Sequence, residues 1–143
     1  MGMDFSIISS LKSIKEEREC LYQAEKKLST PILRDMSLIP ELYSYYRKLY
    51  PIPGGRQRIS LYNKYFVFSI IYLYSPNTLA GNQIKNGLRE KIAETVGINN
   101  GTRISQLCAN LAFDYETYKD FRDTMDNVYN ELTSWLRAKE LIK

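Results

Sequence analysis

Thr102, Arg103, Ser105, Gln106 and Asn110 crowd together in the second half of the chain, and all carry side chains that suit nucleic-acid base edges. An arginine fork matches guanine, a glutamine or asparagine amide matches adenine, and a small hydroxyl serves either. Ile104, Leu107, Cys108 and Leu111 alternate with them at 3/4 spacing. A helix there turns one apolar face inward and shows the polar set outward. Arg103, Ser105, Gln106 and Asn110 are the expected base readers. Thr102, Lys85, Arg89 and Lys91 are expected at phosphates, which set position rather than sequence, and Arg56 and Arg58 form a second basic group for the same work.

Other chemistry has less to build on. The chain contains no histidine, the commonest general base and metal ligand. No GxSxG, HExxH, phosphate-binding loop or CxxC pattern occurs. Asp120, Asp123 and Asp126 would share a helical side and could in principle hold Mg²⁺, but Lys119 and Arg122 stand among them, and a solvated face is the expected reading. Tyrosines interleaved with Arg47, Lys48, Arg56, Arg58 and Lys64 could stack single-stranded bases. Most of those tyrosines fall on apolar stripes, where core packing accounts for them. No catalytic residue, cofactor or metal is assigned, and the chain is not expected to be an enzyme.

The polar set needs a scaffold, and residues 88–111 provide its outline. Leu88, Ile92, Ala93 and Val96 make a short amphipathic segment that stops at Gly97. The second segment follows, with Asn99, Asn100 or Thr102 as its N-cap. With Ala93 as the small residue where two helices cross and Gly97 in the turn, this resembles a helix-turn-helix. The spacing from Gly97 to Ile104 is one residue longer than in the common form of that motif, so either the turn is longer or Ile104 is not the first inward contact.

Further elements follow from breakers and periodicity. Residues 4–28 predict a long helix whose Ile7, Leu11, Ile14, Leu21 and Leu28 follow an alternating 4,3 spacing, with Arg18 and Glu25 filling two positions of the same stripe. That helix either lies on the domain or pairs with a second subunit. Ser29-Thr30-Pro31 ends it, and a second helix is expected over about 34–50, with Pro40 in its first turn or marking its start. Pro51-Ile52-Pro53-Gly54-Gly55 is the clearest break. Residues 56–75 are apolar nearly all round; β-branched and aromatic residues admit a strand over 66–74, but the uninterrupted run is too long for one and predicts a central helix. Pro76 starts a short helix closed by Gly81, and Asp114 is expected to cap a C-terminal helix reaching about Leu141. Tyr118, Phe121, Met125, Val128, Leu132 and Trp135 form its stripe.

Charge supports a polyanionic partner over a neutral one. The formal net charge is +4, and residues 34–64 carry six basic against two acidic side chains, whereas 112–143 carry five against seven. The basic excess therefore surrounds the polar helix, and the acidic end would point away from a nucleic acid. Two cysteines, Cys20 and Cys108, suggest no disulfide framework and fit a reducing, cytoplasmic compartment. The apolar run YFVFSIIYLY is well short of the ~20 residues that span a bilayer, so no membrane partner is expected.

The segments FSIIYLYSPNTLAG, GLREKIAETVG and FDYETYKDFRDTMDNVY, just under half the chain from Phe66 through Tyr129, resemble small uncharacterised proteins of phages and mobile elements of gut bacteria. The resemblance implies at best a helix-turn-helix-like protein and no catalytic residues, with a regulator or a packaging or assembly component as the role. The expected fold is all-α, five to seven helices. Residues 1–50 would form an N-terminal helical pair able to oligomerise, 51–58 a Pro/Gly hinge, and 59–143 a helical core with the helix-turn-helix-like motif and a long C-terminal helix. The expected partners are double-stranded DNA and a second copy of the chain, with a homo-oligomeric assembly protein as the alternative.

Overall fold

The computed structural model describes residues 2–98 and 101–143, and among them the chain forms seven helices and no strand. They are α1 (Phe5–Leu28), α2 (Leu38–Leu49), α3 (Arg56–Tyr74), α4 (Pro76–Leu79), α5 (Leu88–Val96), α6 (Gly101–Thr117) and α7 (Lys119–Ala138). The all-α expectation holds, and the strand alternative for residues 66–74 falls away. The chain divides into two units, Met1–Thr30 and Pro31–Lys143, so the boundary falls after Thr30 and α2 belongs to the larger unit. No helix among the described residues is long and apolar enough to cross a membrane.

The first unit is α1. Asp4 caps it, its carboxylate accepting from the Ser6 amide at 3.0 Å, and Lys26 and Lys27 sit in the last turn where the helix dipole favours cations. None of its residues is buried.

The second unit is organised by α3. From Phe66 to Ile71 every side chain is buried, which is the outcome expected of a helix that is apolar on all sides. Helices α2, α4, α5, α6 and α7 all pack against it. Helix α2 contributes Leu38, Ile39, Leu42 and Tyr46, with Pro40 in its first turn. It starts four residues later than the expected 34, because Asp35 turns the chain first: its carboxylate accepts from the Ser37 amide at 3.0 Å. Residues before α2 are strapped to the end of α3, since the amides of Ile32 and Leu33 both donate to the Leu73 carbonyl at 2.9 and 3.0 Å.

Three buried tyrosines pin loops to this core. The Tyr46 hydroxyl donates to the Tyr62 carbonyl (2.7 Å), that of Tyr62 to the Tyr50 carbonyl (2.6 Å) and that of Tyr74 to the Asp35 carbonyl (2.6 Å). Each ring fills core volume while its hydroxyl finds a backbone carbonyl as acceptor. Tyr46 also stacks obliquely on Tyr62, with centroids 4.6 Å apart. The tyrosine-rich block is therefore mostly core.

The C-terminal half departs from expectation in several respects. Helix α6 does not stop near Leu111; it runs through Asp114 to Thr117, and α7 begins at Lys119 with Tyr118 in extended conformation between them. Asp114 is thus no cap. Its carboxylate lies inside α6 and meets the Lys64 ammonium of α3 at 3.3 Å. Phe121, Met125, Val128 and Leu132 keep the expected stripe of α7, but Tyr118 is exposed, and Leu136 rather than Trp135 is the fully buried residue near its end. The helix ends at Ala138, short of Leu141.

The core makes stability testable in two ways. Phe66→Ala should cost about 3–5 kcal/mol by urea denaturation, from lost burial and the cavity left behind, while Arg56→Ala at the exposed start of α3 should change the midpoint little. Burial raises the Tyr46 and Tyr74 hydroxyls well above their usual 10.0 and pushes Tyr62 up to about 12. The unfolded chain then loses these protons first. Their stabilising contribution is complete below about pH 10 and is lost as pH climbs through the raised values, so the urea midpoint should fall steadily above about pH 10.

Candidate nucleic-acid interface

Helix α6 is anchored by Ile104, Cys108 and Leu111, all buried. Helical geometry then fixes what remains outside. Thr102, Arg103, Gln106 and Asn110 are exposed, and Ser105 is half-buried at the edge of the same face. Helix α5 supports this arrangement from below through Leu88, Ile92 and Ala93. It stops where expected: Gly97 adopts a left-handed conformation (φ 81°), and the amides of Gly97 and Ile98 both donate to the Ala93 carbonyl at 3.0 and 2.9 Å. A side chain at that φ would be strained. Ile104 is fully buried and is the first buried residue of α6. The proposed caps Asn99 and Asn100 lie outside the described residues.

A cleft flanks α6 on each side. One, of about 510 Å³, runs between α6 and the first turns of α3, and is lined by Arg103, Gln106 and Asn110 on one wall and Arg56, Ser60, Asn63 and Lys64 on the other. The second, of about 630 Å³, lies between α6 and residues 81–90, with Lys85, Arg89, Glu90 and Ser105 on its walls. The structure therefore places Arg56 and Arg103 on the lining of one cleft, and Lys85, Arg89 and Ser105 on that of the other. It does not bring Arg58 to either cleft. Arg58 lines a different surface with Tyr50, Pro53, Leu61 and Thr124, since residues two apart on a helix face nearly opposite ways. Lys91 is half-buried on α5 and lines neither cleft.

The cations differ in how free their charge is. Among the described residues, ion pairs join Lys64 to Asp114 at 3.3 Å and Arg89 to Glu90 at 3.2 Å. Arg56, Lys85 and Arg103 meet no carboxylate there. The Arg89 side chain also lies over Gly101, where an added Cβ would come within 3.1 Å of its Nε. It thus packs against the first turn of α6.

Ser60 and Asn63 are not among the residues expected at the interface, although the sequence carries a signal for them. Arg56, Ser60, Asn63 and Lys64 form a polar strip at 4/3 spacing on an otherwise apolar helix. Asn63 is buried at the base of the cleft, with its amide oxygen 3.5 Å from the Tyr43 hydroxyl. Elsewhere, Asp126 accepts from the Tyr115 hydroxyl at 2.7 Å, and no group of three His, Cys, Asp or Glu among the described residues is placed to hold a metal ion.

Comparison with protein-family models, with curated proteins and with solved structures finds no match to this chain.

The two thiols offer a check on the orientation of α6. Cys108 is buried and its thiol is pushed up to about 11 by desolvation, whereas Cys20 is exposed. Thiolate is the reactive form. Iodoacetamide at about pH 8 should therefore modify Cys20 rapidly and leave Cys108 untouched until denaturant is added; fast native modification of Cys108 would mean that α6 is turned the other way.

Proposed function

We propose that the chain binds double-stranded DNA by laying the exposed face of α6 in the major groove, with the two clefts receiving the phosphate backbones on either side. The observation that carries this is the combination of an outward row of Arg103, Gln106 and Asn110 with cations on both flanks, Arg56 on one and Lys85 on the other. A recognition helix needs base-reading side chains along its middle and phosphate contacts at its edges. Thr102 and Arg89, at the first turn of α6, belong with the phosphate contacts, because a hydroxyl and a guanidinium both bond phosphate oxygens. Reading α5 and α6 as a helix-turn-helix-like pair, and taking the sequence resemblance to phage and mobile-element proteins with it, makes the chain a transcription regulator on this proposal.

Relative to the sequence-based assignment, Arg58 and Lys91 are set apart from the interface, and Ser105 is turned toward the second cleft. That distinction gives the test its control. A preferred duplex would first be selected from a randomised pool, and affinity then measured by fluorescence anisotropy against salt. Arg103→Ala with Gln106→Ala should erase the preference, at roughly 1–3 kcal/mol for each bidentate hydrogen-bonded pair removed. Arg56→Ala with Lys85→Ala should weaken binding to every duplex and reduce the salt slope by about two. Arg58→Ala should alter neither. Equal affinity in all three variants, or no binding by the parent chain, would remove the assignment.

The unburied apolar stripe of α1 favours one other reading, a homo-oligomeric assembly component that ignores DNA. Light scattering with and without duplex separates the two.

A further inference from the structure

Helix α1 carries an apolar seam that stays exposed among the described residues. Ile7 is 59% exposed, Leu11 60%, Ile14 48%, Leu21 70% and Leu28 82%, and Ile8 and Tyr22 widen the same side. The helix is 24 residues long and capped, yet helices in proteins draw most of their stability from packing an apolar face. Its seam therefore calls for a partner surface.

We propose that this surface is the α1 of a second copy, lying antiparallel. Arg18 and Glu25, the two charged residues in the seam, decide both the partner and the direction. A parallel in-register pair would set Arg18 against its own copy and Glu25 against its own copy, placing two like-charge layers inside the seam. Reversing one helix removes both clashes. With the symmetry axis between Glu19 and Cys20, Leu11 packs on the second copy's Leu28, Ile14 faces its Glu25 and Arg18 faces its Leu21. Arg18 and the second copy's Glu25 then lie four residues apart along the axis, about 6 Å at the helical rise. The long arginine stem covers that offset while its head stays near water. The seam is thus complementary to itself in charge as well as in apolarity, which is what a homodimer requires. In this register the two Leu28 ends stand about 26 Å apart, so each chain leaves the helix pair at its own end. The pairing needs no nucleic acid and stands independently of the DNA-binding proposal.

Sedimentation equilibrium on the full chain, without DNA, tests it through a charge swap. The parent chain should be a dimer. Glu25→Arg sets arginines near one another across the antiparallel seam and should weaken dimerisation by roughly tenfold or more, and the double variant Arg18→Glu/Glu25→Arg should recover the parent affinity. A chain that stays monomeric through the micromolar range overturns the proposal. So does a dimer indifferent to Glu25→Arg, the behaviour of a parallel pair or of an interface elsewhere. Far-ultraviolet circular dichroism of each variant distinguishes loss of pairing from loss of the compact unit's helices.

Discussion

Burial of α3 on all sides is the constraint from which the rest of the larger unit follows. A helix buried at every position from Phe66 to Ile71 has no face there to show to water, so helices must stand around it. The apolar stripes of α2, α5, α6 and α7 each answer that need. The tyrosine hydroxyls add cross-ties, from Tyr46 of α2 to the Tyr62 carbonyl of α3, and from Tyr62 and Tyr74 of α3 to the carbonyls of Tyr50 and Asp35. Among the described residues, no buried side-chain polar atom is left without a partner. A core satisfied in this way is expected to be rigid.

The same constraint determines what stays free. Helix α6 spends Ile104, Cys108 and Leu111 on the core, and every residue out of phase with them is left outside. The exposed row of Arg103, Gln106 and Asn110 is thus a consequence of how α6 is anchored. Only the first turns of α3 extend beyond the apolar run, and there Arg56 and Ser60 come to face α6 across the cleft. Function, on this account, sits where the core helix ceases to be core. The Lys64–Asp114 pair marks the transition: it joins α3 to α6 at the partly exposed edge, where such a pair contributes little to stability but fixes side-chain positions.

Much of this was legible in the sequence because it rests on local rules. The all-round apolarity of α3, the stop at Gly97, the start at Pro76 and the two-faced pattern of α6 are matters of periodicity and backbone preference. What escaped is settled over distance. Asp114 has the side chain of a helix cap, but its partner is Lys64, fifty residues earlier, and the stripe of α6 continues past it. The break at Tyr118 contains neither glycine nor proline to announce it. Arg56 and Arg58 are neighbours in sequence, whereas helical rotation sends them to opposite sides. Ser60 and Asn63 gain meaning only once α6 lies alongside. The α1 seam shows the opposite case, with a clear periodicity that finds no complement within its own unit.

The central claim is that the outward face of α6, with its two flanking clefts, is the surface that meets DNA. Backbone amide chemical shifts of the isotopically labelled full chain, followed during titration with a selected duplex, test it most directly. The account predicts that shifts concentrate on Thr102, Arg103, Gln106 and Asn110 and on Arg56 and Lys85, while Arg58 and the acidic face of α7 around Asp120 and Asp123 stay still. Shifts centred on α7, or a spectrum unchanged by saturating duplex, would contradict it.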